Sequence, residues 1–306
     1  MRVAIIGGTG FVGSYIVDEL LKQGHDVSAL VRPGSEHKVR HSAAVRVVFG
    51  SVDSTASIGD LVSGCEAVIY CVGILREFPK QGITYESTQF DGVASTVDAA
   101  LENGVRRFLL MSANGVKIPG TRYQETKKRA EDRVLASGLD ATIFRPSIIF
   151  GDPRGQMEFA TQLFQDMVEK PIPAVGFFSG LSPTSGAVLM SPVHVEDVAN
   201  AFVNTLTDDS TVGENYNLGG PEILSWTEML RRIAAATGRK KWIIPMPIVL
   251  MKIAATLFDW LPFFPVTRDQ LTMLAEGNTA DPAIVESLTS SPPRAFSPAT
   301  LDYLNH

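Results

Sequence analysis

Two side chains near the middle of the chain have types and a spacing that suit proton transfer. Tyr123 and Lys127 are four residues apart, and residues at that spacing lie on one face of a helix. A free phenol, with a pKa near 10, is too weak a base at neutral pH. A neighbouring ammonium group favours the phenolate and lowers that pKa. The pair is therefore a candidate acid–base group, although the same spacing also arises by chance on helix surfaces.

A glycine-rich loop at the start of the chain is the second candidate site, with the sequence Gly7-Gly8-Thr9-Gly10-Phe11-Val12-Gly13. The first key glycine permits a tight turn, the second lets the backbone approach a pyrophosphate, and the third lets a helix pack closely. The N–H groups and positive dipole of that helix attract phosphates. An apolar run at 2–6 precedes the loop and a helical pattern at 11–23 follows it. This context favours dinucleotide binding, and a purely structural turn is the alternative.

The elements that must position these residues alternate between strands and helices. Apolar runs predict strands at 2–6, 26–31, 45–48, 67–71, 107–111 and 141–145. Helical patterns lie between most of them, at about 11–23, 57–63, 85–103 and 123–137. Alternation of this kind predicts an α/β fold of the Rossmann type, with a doubly wound parallel sheet.

The second half of the chain has a different pattern. Glycine and proline are frequent after Arg145, and helical segments are predicted at 157–168, 195–206, 225–237, 247–260 and 267–275. Short strands are predicted at 188–191 and 214–218. We therefore predict a dinucleotide-binding domain at 1–150 and a smaller, mainly helical lobe at 151–306, with the chain crossing back to the sheet near 188–220.

Composition excludes several classes of protein. The 306 residues carry a net charge of −6, which argues against a nucleic-acid binder that neutralises phosphates. The cysteines, Cys65 and Cys71, are too few for a disulfide scaffold, and the five histidines lack metal-ligand spacing. We expect no metal site and, because the chain opens in a strand-like run, no signal peptide. The expected compartment is the cytoplasm.

The end of the second predicted strand indicates the cofactor type. An NAD-binding protein usually has an acidic residue there to hold the ribose 2′-hydroxyl. This chain has Arg32, followed by Ser35 and Lys38. A cation and a hydroxyl suit a 2′-phosphate. We therefore predict that NADP(H) is preferred over NAD(H), with a merely solvated Arg32 as the alternative.

The spacing of the loop glycines resembles the short-chain dehydrogenase/reductase superfamily in its extended or atypical branch. Further matching segments are Cys71-Val72-Gly73, Arg145-Pro146-Ser147 with Phe150-Gly151, and Pro192 to Ala199. The resemblance implies that Cys71, Val72 and Gly73 line the adenine ribose, that Ser51 and Val52 lie at the adenine, and that Pro146 lies at the cofactor. At position 51 the family has an acidic residue. It also implies that Tyr123 is the general acid/base, that Lys127 holds the nicotinamide ribose, and that Ser112 binds a substrate carbonyl.

The C-terminal region resembles a narrower group, the bacterial relatives of the nucleotide-binding accessory subunit of mitochondrial complex I. The resemblance rests on the run Pro265-Val266-Thr267-Arg268-Asp269-Gln270 and on Asn278. It leaves two functions open: an NADPH-dependent reductase of a hydrophobic carbonyl or quinone-like compound, and a non-catalytic NADP(H)-holding protein of a membrane redox complex. The apolar segment 242–266 is a candidate for peripheral membrane or membrane-complex contact at the inner face of a membrane, with a buried helix as the alternative.

Overall fold

A computed structural model describes residues 1–179, 186–251, 268–289 and 291–305. The chain divides into two compact units. The first comprises Met1–Pro146, Val195–Asn217 and Ser287–Ser290, and the second comprises Ser147–His194, Leu218–Glu286 and Ser291–His306.

The strands are β1 (Arg2–Ile6), β2 (Asp26–Val31), β3 (Val45–Phe49), β4 (Ala67–Tyr70), β5 (Arg107–Met111), β6 (Asp140–Pro146), β7 (Ile149–Phe150), β8 (Ala174–Phe178), β9 (Leu189–Met190), β10 (Val193–His194), β11 (Asn215–Leu218), β12 (Leu224–Ser225) and β13 (Ile243–Pro247). The helices are α1 (Phe11–Lys22), α2 (Thr55–Val62), α3 (Gly92–Glu102), α4 (Arg122–Leu135), α5 (Phe159–Leu163), α6 (Val195–Asn204), α7 (Trp226–Ala236), α8 (Arg268–Glu276) and α9 (Pro282–Thr289).

The first unit is built on a seven-stranded parallel sheet with the order β11-β6-β5-β4-β1-β2-β3. Residues 3–6 of β1 and all of β4 are buried, which explains why their sequences are uninterrupted apolar runs. The predicted Rossmann-type fold is confirmed, with the six expected strands within a residue of their predicted bounds. The seventh strand comes from the short pattern at 214–218, and it forms the edge next to β6.

The predicted helix at 85–103 is interrupted. Residues Glu86–Asp91 form a π-helical stretch, and the α-helical part is α3. The hydroxyl of Tyr70 donates a hydrogen bond to the Thr88 carbonyl, and a Cβ at Gly92 would lie 2.4 Å from that hydroxyl. A side chain that takes over a helical carbonyl disturbs the regular ladder, so Tyr70 accounts for the change of helix type.

The second unit has its own apolar core, around Phe150, Trp226, Met229, Ile233 and Phe296. Within the described residues, its strands form short sheets: β7 with β10, β9 with β12, and β8 with β13. The Trp226 indole donates to the Val175 carbonyl at 3.0 Å, which ties α7 to β8. The predicted helix at 247–260 lies outside the described residues beyond position 251.

Candidate functional site

The glycine loop connects β1 to α1 and has the geometry of an anion cradle. Gly7 has φ = +100°, a left-handed conformation that favours glycine. A Cβ at Gly13 would lie only 2.0 Å from the Gly7 carbonyl oxygen, so only glycine lets α1 begin against the loop. Gly10 is the N-cap and provides no side-chain acceptor for the first-turn N–H groups. Those groups, at Phe11, Val12 and Gly13, suit a pyrophosphate.

The residues expected at the adenosine end lie around the carboxyl ends of β2, β3 and β4. Arg32 directly follows β2 and is exposed, as is Lys38. In the described part of the chain, neither cation has an acidic partner. Ser51 and Val52 are half-buried beyond β3, where the Ser51 hydroxyl is 3.5 Å from an Asp53 carboxylate oxygen.

The segment after β4 lies between the glycine loop and α4. The Cys71 thiol donates to the Ile6 carbonyl at 3.2 Å, and a Cβ at Gly7 would lie 3.0 Å from the Cys71 sulfur. Burial raises the pKa of Cys71 to about 12, so this thiol is a packing group rather than a nucleophile. A Cβ at Gly73 would lie 3.7 Å from the Lys127 ammonium nitrogen. The structure thus brings Cys71, Gly73 and Lys127 close together.

Helix α4 holds Tyr123 and Lys127 in fixed positions. Thr121 caps the helix through a reciprocal capping box with Gln124, whose amide also donates to the Gly115 carbonyl at 2.9 Å. The Tyr123 ring packs edge-on against Tyr85, with ring centroids 5.6 Å apart. The Lys127 nitrogen lies 5.9 Å from the Tyr123 ring centroid. The predicted helix and the shared face of its two residues are therefore present.

Burial controls the ionisation of this pair. It raises the pKa of the Tyr123 hydroxyl above its ordinary value of 10, with a smaller contribution from Tyr85. Without a bound cofactor, burial therefore outweighs any lowering of this pKa by the nearby Lys127 ammonium. Burial also lowers the pKa of Lys127 to about 8, against the opposing effect of the Glu131 carboxylate. The Tyr123 hydroxyl is therefore protonated at neutral pH and is a weaker acid than a free phenol.

A small cavity in the first unit joins Lys127 to Ser112, which directly follows β5. The cavity is lined by Tyr70, Val72, Gln89, Val93, Leu110, Met111, Ser112, Lys127 and Ala130. The Lys127 ammonium donates to the Met111 carbonyl at 3.1 Å. Among the described residues, the buried Ser112 hydroxyl has no hydrogen-bond partner. A buried polar atom without a partner is costly, so Ser112 could serve a ligand there once the cavity, which is too small to hold a water molecule, has widened.

The carboxylate near Lys127 is itself held in place. Glu131 is fully buried, and both of its oxygens accept hydrogen bonds from the Arg145 guanidinium, at 2.7 Å and 2.5 Å. This pairing raises the pKa of Arg145. Pro146, the next residue, is buried at the end of β6, and its carbonyl accepts from the Asn114 amide at 3.0 Å. Arg145 therefore holds in place the Glu131 carboxylate, whose negative charge opposes the lowering of the Lys127 pKa by burial.

Sequence reasoning missed Gln89 and Glu131. The Gln89 amide donates to the Ile74 carbonyl at 2.8 Å, while its buried oxygen has no partner in the described chain. Glu131 continues the four-residue spacing of Tyr123 and Lys127 by one more turn, and that spacing was the available signal. No comparable signal marks Gln89, because its position depends on the π-helical stretch.

The fold and the loop define a Rossmann-type protein that binds a nicotinamide dinucleotide. A family model described as NAD(P)H-binding matches residues 7–172. The chain belongs to this family, within its extended short-chain dehydrogenase/reductase-like members.

Relatives of known name fall into more than one functional group. "Ceramide reductase" of Caulobacter vibrioides is 30% identical over 261 residues, covering 84% of this chain and 77% of the relative. The mitochondrial "NADH dehydrogenase (ubiquinone) 1 alpha subcomplex subunit 9" of Arabidopsis thaliana is 27% identical over 291 residues, covering 90% and 68%. The crystal structure of UDP-glucuronic acid 4-epimerase from Bacillus cereus, in complex with UDP-glucuronic acid and NAD, has a TM-score of 0.74 with 17% identity and 99% coverage of each chain. At that identity the likeness shows the fold alone.

Proposed function

We propose that the protein is an NADPH-dependent oxidoreductase that reduces a hydrophobic carbonyl or quinone-like compound. The observation that carries the proposal is that Ser112, whose buried hydroxyl has no partner in the described chain, and Lys127 line the same small cavity, beside the face of α4 that also bears Tyr123. A relative named for the reduction of ceramide supports a hydrophobic substrate.

Each of the three side chains has a role that its environment supports. A nicotinamide cofactor supplies the hydride when it is bound. Tyr123, whose hydroxyl is protonated at neutral pH, donates the proton, and this step requires the bound cofactor and substrate to offset the effect of burial on its pKa. The Lys127 ammonium donates one N–H to the Met111 carbonyl, and its other two N–H groups are available to donate to ribose hydroxyls. The Ser112 hydroxyl, which has no partner among the described residues, donates a hydrogen bond to the substrate oxygen.

The proposed preference for NADPH rests on Arg32 and Lys38, two exposed cations without an acidic partner in the described chain. A charge-assisted hydrogen bond is worth about 1.5–3 kcal/mol, or roughly tenfold to a hundredfold in affinity. Arg32→Ala should therefore weaken NADPH binding by at least about tenfold and leave NADH binding unchanged. Arg40→Ala is the control, because Arg40 is already paired with Asp18 at 3.5 Å.

The decisive experiment measures binding and turnover separately. NADPH and NADH are titrated into the purified protein, and NADPH oxidation is then followed with a panel of quinones and hydrophobic carbonyls. Tyr123→Phe should bind NADPH normally and lose turnover. Tyr216→Phe is a matched control, because Tyr216 lies on the edge strand β11, where its ring stacks on Phe144. Full turnover in Tyr123→Phe would contradict the assignment, and tighter binding of NADH would contradict the cofactor preference.

A second candidate function is a non-catalytic NADP(H)-holding protein of a membrane redox complex. The relative named as a subunit of NADH dehydrogenase favours it. Under this proposal the protein works in the cytoplasm at the inner face of a membrane and makes contact through 242–266. No helix in the described residues is both long and apolar enough to cross a membrane. Tight NADPH binding without turnover of any compound would favour this second candidate.

A further inference from the structure

An exposed apolar surface lies on the second unit, at the start of the segment 242–266. We call it the Trp242 surface. Trp242 is 82% exposed, the highest value among the exposed large apolar residues of the described chain. Four further members, each more than half exposed, are Ile172, Ile244, Val249 and Leu250. Single exposed apolar residues are normal, but several on neighbouring segments indicate an interaction site.

The backbone holds this surface in place. The Trp242 carbonyl accepts a hydrogen bond from the Ala174 amide at 2.8 Å, which extends the pairing of β13 with β8. Ile243 packs against the core of the second unit. Trp242 and Ile244 flank it in sequence and share the opposite face, because side chains alternate along a strand. Trp242 and Ile244 are exposed beside this half-buried residue, whereas Met246, further along the strand, also packs against the core.

The chain after β13 carries two further exposed apolar residues. Residues 248–251 are helical, and Ile248 is buried in the core of the second unit. The next two residues, Val249 and Leu250, are exposed. On each side of Pro247, therefore, one isoleucine packs in the core while apolar residues next to it in sequence are exposed.

Cations border the Trp242 surface. Arg239, Lys240 and Lys241 immediately precede Trp242. The Lys241 ammonium donates to the carbonyls of Val168 and Lys170, which brings the segment of Lys170 beside them. Lys240 is exposed and has no acidic partner among the described residues. Arg239 lies 3.8 Å from a Glu169 oxygen and Lys170 lies 3.1 Å from an Asp166 oxygen, so the positive charge without an acidic partner in the described chain is that of Lys240 and Lys241.

We propose that the Trp242 surface binds the surface of an anionic lipid bilayer. An indole at the edge of an aliphatic patch suits the boundary between headgroups and acyl chains. Adjacent lysines and arginines suit anionic headgroups. A second copy of the chain fits less well, because a symmetric interface would bring the same cations of both copies together. This inference rests on the second candidate function, in which the segment 242–266 contacts a membrane, and it does not depend on the proposed reductase activity.

The test is flotation of the full-length protein with vesicles of phosphatidylcholine alone or mixed with phosphatidylglycerol. The protein should float with the mixed vesicles and remain behind with the neutral ones. Trp242→Ser should weaken partitioning by about tenfold or more, from the lost apolar burial. Lys240→Gln should weaken it about fivefold, the effect of one cation near an anionic surface. Leu101→Ser and Lys22→Gln, at exposed positions of α3 and α1, are the matched controls.

Three results would overturn the proposal: no flotation with mixed vesicles, equal flotation with both kinds of vesicle, or a Trp242→Ser variant that floats with mixed vesicles as well as the unaltered protein does. If the protein has the mass of a dimer in solution and the Trp242→Ser variant has the mass of a monomer, the surface would be assigned to self-association instead. NADPH binding by each variant reports whether it is folded. Tyr123→Phe should float like the unaltered protein, so failure of the reductase proposal and failure of this one are distinguishable.

Discussion

Replacing Lys127 with methionine should stabilise the protein while it damages the site. Lys127 is buried, and its pKa falls from an ordinary 10.5 to about 8. The difference between these two pKa values corresponds to a cost of about 3 kcal/mol for holding the charge at pH 7. Methionine removes that charge and also the hydrogen bond to Met111, which is worth about 1 kcal/mol. We therefore expect Lys127→Met to raise the free energy of unfolding by about 2 kcal/mol.

The increase in the free energy of unfolding that Lys127→Met brings should become smaller as the pH rises. Between about pH 8 and 10.5 the folded protein has released the Lys127 proton while the unfolded chain still holds it. The unfolded state then binds more protons, so the stability of the unaltered protein rises with pH across this window. The advantage of Lys127→Met should be complete below pH 8 and disappear towards pH 10.5.

Urea unfolding, followed by tryptophan fluorescence at pH 7 and pH 10, measures both effects. Lys128→Met is the matched control, because Lys128 is the next residue of α4 and forms a surface ion pair with Asp132. Such pairs contribute about 0–1 kcal/mol, so this variant should change little. NADPH affinity should fall only in Lys127→Met. A Lys127→Met protein that is less stable at pH 7, or whose advantage does not change with pH, would refute the reasoning.

Three further predictions concern the loop, the buried ion pair and the cavity. Gly13→Ala should abolish NADPH binding, because its Cβ would lie 2.0 Å from a loop carbonyl oxygen, whereas Gly59→Ala in α2 meets nothing within 4 Å and should leave NADPH affinity unchanged in the same titration. Arg145→Met should cost about 3–5 kcal/mol in urea unfolding by leaving Glu131 buried without its partner, and adding Glu131→Met should recover most of the loss; a single variant as stable as the unaltered protein would contradict this. Ser112→Ala should slow reduction yet change stability by less than about 0.5 kcal/mol, since its hydroxyl has no partner in the described chain; a large loss of stability would point to a structural role.

Local sequence patterns were sufficient to predict the frame of the first unit. Residues 3–6 of β1 and all of β4 are buried, so these positions form uninterrupted apolar runs, which are visible without knowledge of any partner. The spacing of Gly7, Gly10 and Gly13 reflects steric conditions within one short loop. The pairing of Tyr123 with Lys127 follows from the helical period alone.

Contacts between distant parts of the chain could not be predicted in this way. The short pattern at 214–218 predicted a strand but not its place at the edge beside β6. The interruption of the helix at 86–91 depends on Tyr70, which lies 18 residues before the carbonyl that it binds. The raised pKa of Tyr123 depends on how much of the fold covers it, and no local pattern records that burial.

The sequence by itself determined the Rossmann-type sheet, the glycine loop and the four-residue spacing of Tyr123 and Lys127, because each arises from the chemistry of neighbouring residues. The tertiary structure alone decided which groups share the cavity with Ser112, how Arg145 holds Glu131 beside Lys127, and that Trp242 faces outward from a paired strand. The physical reason is that burial and hydrogen-bond satisfaction depend on what the rest of the chain brings to a position.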